Sequence, residues 1–326
     1  MQKYILRRIL LNLLAIFFVV TLVFLLLRID TDNVITRRVT QEPGTSPEAV
    51  AQVKESVRKD LGLDGSIFRQ YRTYLWNLAH GDLGESFSAR EDIVGEIKDR
   101  IGPSLELGLL QVIVAMTVAL PIGVISAIRQ DSMIDYLLRF LAIALLGVPV
   151  FVLAVFVILF SARSESTFLS EWLGVHAVWA DFFDDPVENM KRMTGPAIIG
   201  GLGTGAIIMR FLRSQMLEVM RQDYVRTAWA KGLRERVIVT RHCLKNAMIP
   251  VLTVVGLLVG TIVSGNVILE TLFNIPGIGL WVVSAIGEYD YPIVQGVVLV
   301  VAVILVFVNL LVDIAYGWLD PRIRYG

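Results

Sequence analysis

The chain has 326 residues, of which 55% are hydrophobic and 18% are charged, and its 30 Lys and Arg residues balance its 30 Asp and Glu residues. This balance gives no overall charge that would attract nucleic acid. The single cysteine, Cys243, excludes an intrachain disulfide and a multi-cysteine metal site. A composition this apolar favours a membrane protein.

Charge-free apolar runs recur along the chain, and most are about 20 residues long, enough to cross a hydrocarbon core of about 30 Å. The first run is too long for a signal peptide and lacks a small-residue cleavage site, so we predict a retained span. Pro121 and Pro149 should kink the second and third spans. The six predicted membrane-spanning helices cover residues 9–27, 107–128, 140–160, 195–217, 247–269 and 293–312.

The distribution of basic residues predicts the orientation of these spans. Residues 209–248 hold nine Lys and Arg against three Asp and Glu, and both chain ends are also basic. Residues 163–194 hold three basic and six acidic residues, and residues 274–292 hold two acidic residues and no basic one. We therefore predict an all-α integral membrane fold of six helices with both termini in the cytoplasm.

Three regions follow from this topology. Residues 1–28 form the N-terminal segment and first span, and residues 29–102 form a partly helical extracytoplasmic subdomain. Residues 103–326 form the core with the other five spans, including a cytoplasmic loop at residues 216–248. Glycines at positions 200, 201, 203 and 205 predict close helix approach in the fourth span; the alternative is that they only loosen the helix.

The cytoplasmic loop has the pattern of a short helix followed by a second amphipathic segment. Residues 222–233 offer Tyr224, Val225, Ala228 and Trp229 to one packing surface, and Gly232 suits a left-handed helix C-cap. Such a helix could fit a groove on a partner protein and transmit the partner's motion. The alternative is a basic helix that rests on anionic lipid.

The loop sequence DYVRTAWAKGLRERVIVTRHCLKNAMIP resembles the signature loop of ATP-binding-cassette importer permeases of the dipeptide, oligopeptide and nickel branch. The general pattern is Glu-Ala-Ala, three residues, Gly, nine residues and Ile-x-Leu-Pro. Gly232 keeps its place, whereas the Glu and the Pro are absent, as is usual in the peptide branch. Four more stretches resemble the same branch: GDLGESF at 81–87, PSLELGL at 103–109, ETLFNIPGIG at 270–279 and DIAYGWLDPRIR at 313–324.

The resemblance implies a non-catalytic subunit of a peptide importer in the cytoplasmic membrane of a prokaryote. Its partners would be a homologous second permease subunit, one or two ATPases that bind ATP and Mg²⁺, an extracytoplasmic solute-binding protein and membrane lipid. Nickel complexes, glutathione and oligosaccharides are alternative substrates. The loop would be the coupling helix seated in an ATPase cleft, with roles for Tyr224, Val225, Arg226, Thr227, Ala228, Lys231 and Gly232.

Three polar residues are candidates for the translocation pathway. Glu270 and Asn266 lie one turn apart near the external end of the fifth span, where they could meet a peptide's amino group. The favoured alternative is that Glu270 hydrogen-bonds the turn that follows it. Asn309 lies near the cytoplasmic end of the sixth span, and Gln111 should bond a neighbouring helix.

Asp313 should form a structural ion pair with Arg322, Arg324 or Arg139. His80, His176 and His242 lack metal-ligand spacing, so we predict no metal site. The chain has no phosphate-binding Gly-x4-Gly-Lys-Ser/Thr loop and no hydrolase motif. An autonomous secondary carrier or channel is the alternative class, but an ion-coupled carrier should place charges at mid-membrane, which the apolar runs lack.

Overall fold

The computed structural model describes residues 2–29, 55, 65–87, 89–176, 178–263 and 266–319, with the side chains of 2–7, 26–29, 261–263 and 312–319 excepted. The predicted pairing of Asp313 with Arg322 or Arg324 therefore lies outside the described side chains.

Helices account for most of the described chain. In order they are α1 (Gln2–Ile29), α2 (Ile67–Ala79), α3 (Ile93–Ile128), α4 (Met133–Gly147), α5 (Val150–Arg163), α6 (Thr167–Leu173), α7 (Pro186–Met220), α8 (Asp223–Ala230), α9 (Glu235–Val237), a π-helix (Ile238–Leu244), α10 (Lys245–Val263), α11 (Val267–Phe273), α12 (Ile278–Gly287) and α13 (Tyr291–Leu319).

Five helical stretches of the described chain are each long and apolar enough to cross a membrane alone. Two further pairs pass the same test only together, each bent at a short break, so the described residues hold five to seven candidate spans. The five single stretches are Arg8–Leu25, Ile93–Ile128, Pro186–Met220, Glu235–Gly260 and Tyr291–Leu311.

The predicted third span, residues 140–160, is broken at Pro149 rather than only kinked there. The axes of α4 and α5 meet at 98°. Val148 leaves the helical region at φ −96° and ψ 122°, because the ring of Pro149 disfavours helical geometry in the residue before it. Pro149, which was expected to kink this span, instead separates two helices, whereas Pro121 lies inside the continuous helix α3.

The predicted fifth span, residues 247–269, is also too long. α10 ends at Val263, and a separate helix, α11, starts after Asn266, whose ψ of 66° is not helical. α11 ends at Asn274 in the left-handed conformation, and α12 leaves it at 85°. Glu270 therefore lies in a bent helical pair rather than at the end of a straight span.

The centre of the bundle is the long contact between α3 and α7. A Cβ atom added to Gly201 would lie 2.6 Å from Cβ of Val114, and one on Gly205 would lie 3.2 Å from the carbonyl oxygen of Ala115. The glycines therefore permit close backbone approach, as predicted, although Gly203 has no neighbour within 4 Å.

Most of the described part of the predicted extracytoplasmic region begins at residue 65. Residue 88 is left out of it, and residue 55 is described alone. In α2, the hydroxyl of Tyr71 lies 2.6 Å from that of Thr21 in α1. In the following loop, Ser86 donates a hydrogen bond of 2.8 Å to Asp290, next to the start of α13. The boundary placed between residues 102 and 103 falls inside α3, since that helix begins at Ile93.

Candidate functional site

The basic loop contains the predicted short helix, α8, which covers Asp223–Ala230. Gln222 precedes it with extended backbone, and Asp223 supplies a carboxylate to the first turn, where it complements the helix dipole. The Asp223–Arg226 pair is 3.5 Å long and largely exposed, so it adds little stability. The prediction of a helix here is confirmed.

The end of α8 is fixed by a Schellman motif. The N–H of Leu233 donates to the carbonyl of Ala228, and the N–H of Gly232 donates to the carbonyl of Trp229. This pattern requires a left-handed residue, which Gly232 provides with φ +73°. The predicted glycine stop is therefore confirmed, and it sets the direction in which the chain leaves α8.

The two faces of α8 differ. Val225 is 1% exposed and Ala228 is 6% exposed, and both belong to the apolar cluster that also contains Met216 and Ile238. Tyr224 and Trp229, which were expected on the same packing surface, are 44% and 49% exposed. That part of the prediction is wrong, because the buried stripe of this short helix is narrow and holds only Val225 and Ala228.

The outer face of α8 is basic and aromatic. We call it the coupling surface, and its members are exposed side chains that reach no apolar cluster of the described bundle. They are Tyr224, Arg226, Thr227, Trp229 and Lys231.

A π-helix connects this region to the membrane. Ile238–Leu244 carries Ile238 and Cys243 into the core, five residues apart, which matches the i→i+5 hydrogen bonds of such a helix. Asn246 then donates a hydrogen bond of 3.1 Å to the hydroxyl of Tyr224. One end of α8 is thus hydrogen-bonded to α10, and the buried face of α8 packs on the bundle. Sequence periodicity predicted ordinary helical spacing here and missed the wider turn.

A buried ion pair lies toward the same end of the bundle. Arg213 of α7 donates from two guanidinium nitrogens, at 2.8 and 2.7 Å, to the two carboxylate oxygens of Asp135 in α4. Arg139 lies 4.0 Å from Asp135, and its predicted pairing with Asp313 lies outside the described side chains. Sequence patterns did not predict this pair, because its members are 78 residues apart and neither belongs to a recognised motif.

Glu270 is fully buried at the opposite end of the bundle. One carboxylate oxygen accepts a 2.9 Å hydrogen bond from Ser104 of α3, and the other accepts 3.1 Å from the N–H of Leu280. The expectation that Glu270 binds the following turn is thereby confirmed. Gly277 and Gly279 lie directly against the carboxylate. The side chain therefore faces protein on all sides rather than an open passage.

Asn266 donates a 2.5 Å hydrogen bond to the side chain of Gln111, so Gln111 does bond a neighbouring helix. Asn309 is exposed, and its amide oxygen would lie 3.4 Å from a Cβ atom added to Gly260, so Asn309 lies beside α10. The structure therefore brings Asn266 and Glu270 together beside α3, but it does not join them to Asn309. Their roles in transport stay predictions.

Two of the three histidines make local hydrogen bonds to backbone carbonyls. His80 bonds the carbonyl of Trp76, and His176 bonds that of Glu171. Within the described residues, no three His, Cys, Asp or Glu side chains form a metal-binding group.

Comparison with known proteins agrees with these features. Residues 119–325 match the model of the binding-protein-dependent transport system inner membrane component, and residues 1–108 match the N-terminal model for such membrane components.

Curated relatives align along most of their length. The dipeptide transport system permease protein DppB of Escherichia coli (strain K12) is 39% identical over 302 residues, covering 87% of this chain and 88% of the relative. The di/tripeptide transport system permease protein DppB of Pseudomonas aeruginosa (strain UCBPP-PA14) is 37% identical over 342 residues, covering 100% and 99%. These matches confirm the resemblance drawn from the loop motif. The chain therefore belongs to the family of binding-protein-dependent transport system inner membrane components and is a multi-pass protein of the cytoplasmic membrane.

Proposed function

We propose that this chain is the permease subunit of an ATP-driven importer that moves di- or oligopeptides into the cytoplasm. The family match supports the transport role, and the names of its relatives support peptides as the substrate class. The observation that carries the mechanism is α8, a rigidly capped helix whose inner face is packed on the bundle and whose outer face is exposed.

In the proposed topology the chain crosses the membrane six times and both termini are cytoplasmic. The bent pair α4–α5 counts as one span, and the bent pair α11–α12 returns to the external side. Contacts support this arrangement, because residues assigned to the same side meet. Ser86 bonds Asp290 on the external side, and Asn246 bonds Tyr224 on the cytoplasmic side.

The proposed mechanism couples ATPase movement to the bundle through α8. Partner ATPases hold ATP and Mg²⁺ and change their separation during the cycle, and each moves the helix seated in its cleft. Val225 and Ala228 pass that movement to the cluster that includes Met216 of α7. The pore between this chain and a second permease subunit then alternates between its two access states. This chain performs no chemical step itself.

The test is uptake of a labelled dipeptide into proteoliposomes that contain the purified permease pair and ATPases, with the solute-binding protein added outside. We expect accumulation only when ATP is enclosed and the binding protein is present. Uptake that continues without ATP, driven by an ion gradient, would instead identify a secondary carrier. Nickel and glutathione uptake measured in the same vesicles tests the substrate class.

A further inference from the structure

An exposed aromatic pair lies on the loop before α7. Residues 181–185 read Asp-Phe-Phe-Asp-Asp, and we call this segment the acidic aromatic turn. Phe183 is 95% exposed, and its ring packs edge-on against that of Phe182 at 5.7 Å between centroids. Burying a side chain of this size against an apolar partner surface would be favourable.

The turn is held rigidly despite its exposure. The N–H groups of Asp184 and Asp185 donate to the carbonyl of Asp181 at 3.2 and 3.0 Å. The carboxylate of Asp181 accepts a 3.1 Å hydrogen bond from the indole of Trp179. The carboxylate of Asp185 caps α7 by accepting 3.0 Å from the N–H of Glu188. The backbone on both sides of Phe183 is therefore held in place, which lowers the entropy cost of binding.

The position of the turn argues against lipid as its partner. The first turns of α7 carry Glu188, Lys191 and Arg192, and the buried apolar stretch begins at Met193. At about 1.5 Å per residue, residues 186–193 put Phe183 roughly 12 Å beyond that stretch, in water. The three charged aspartates in the same segment also favour water over the membrane. A water-soluble protein is the partner that fits.

We propose that the acidic aromatic turn is a docking anchor for the extracytoplasmic solute-binding protein. Phe183 enters an apolar pocket on that protein, and the aspartates face a rim of Lys or Arg side chains. Buried aromatic anchors supply most of the affinity in such interfaces, while complementary charges raise the association rate. This inference rests on the proposed function, because the turn is external only in the proposed topology.

The experiment measures binding of the purified solute-binding protein to the complete transporter in lipid nanodiscs by surface plasmon resonance. For Phe183→Ala we expect the Kd to rise about tenfold or more. Phe168→Ala is the matched control, since Phe168 lies in α6 and is 64% exposed, and its Kd should stay within about twofold of the wild type. Asp184→Asn should slow association and reduce its dependence on salt.

Each other outcome is informative. An unchanged Kd for Phe183→Ala, with a wild type that binds normally, overturns the docking anchor and leaves the importer assignment intact. An equal loss in both phenylalanine variants contradicts a specific anchor. If Phe183→Ala releases the second permease subunit during purification, the turn is a subunit contact instead. A wild-type transporter that neither binds the solute-binding protein nor hydrolyses ATP faster in its presence contradicts both proposals.

Discussion

Arg213 and Asp135 form a two-point ion pair, with both carboxylate oxygens of the buried aspartate accepting from the guanidinium. Arg213→Met should lower the free energy of unfolding by about 3–5 kcal/mol, because it leaves a buried carboxylate without its counter-charge. The measurement is thermal unfolding in detergent, followed by size-exclusion chromatography. Arg139→Gln is the control, since Arg139 is 4.0 Å from the same carboxylate and more exposed, and it should cost less than about 1 kcal/mol. Equal losses in the two variants would contradict the assignment.

Gly232 ends α8 with φ +73°, and a Cβ there would meet nothing within 4 Å. Gly232→Ala should therefore destabilise α8 by about 1–2 kcal/mol through backbone strain alone. Gly232→Asn should recover much of the loss, because asparagine tolerates the left-handed region.

Gly232→Pro should abolish ATP-dependent uptake while leaving membrane insertion intact, since proline cannot adopt a positive φ. Gly203→Ala, in the interior of α7, serves as a control for stability and should be neutral or slightly stabilising.

Glu270 joins α11, the start of α12 and α3 through Leu280 and Ser104. Glu270→Ala should destabilise the protein by about 2–5 kcal/mol, because it leaves a buried hydroxyl and an N–H without an acceptor and opens a cavity. Gly277→Ala should also destabilise, since its methyl group would collide with both Glu270 and Ser104. Yield of monodisperse protein and the thermal midpoint are the measurements. The exposed Glu288 provides the control, and Glu288→Ala should change stability by about 0.5 kcal/mol or less. A stable Glu270→Ala protein with lost uptake would favour a pathway role instead.

The two faces of α8 predict different mutant phenotypes. Trp229→Ala removes an exposed ring from the coupling surface, so it should reduce ATPase co-purification and uptake without lowering the thermal midpoint. Val225→Asp places a charge in the apolar cluster and should lower the midpoint as well. Pull-down of the ATPase and thermal unfolding of the permease separate these effects. The faces would be wrongly assigned if Trp229→Ala unfolded the protein and Val225→Asp did not.

Local signals allowed much of this fold to be predicted from the sequence. Apolar run length located most spans, and the pattern of residues 222–233 predicted a short helix that stops at Gly232, where α8 is found. The break at Pro149 was underestimated, because chain-local rules show that a proline disturbs a helix but do not give the resulting angle. Arg213 as the partner of Asp135 and Ser104 as the second partner of Glu270 were missed, because these residues lie 78 and 166 positions from their partners.

The central claim is that the coupling surface of α8 docks on an ATPase. Arg226→Cys tests it directly, because the natural Cys243 is fully buried and should react slowly with a maleimide. In inside-out vesicles the introduced thiol should label rapidly without the ATPase and become protected when the ATPase is bound. Gln130→Cys, exposed in the loop before α4, should label equally in both conditions. Rapid labelling of Arg226→Cys in the presence of saturating, functional ATPase would contradict the account.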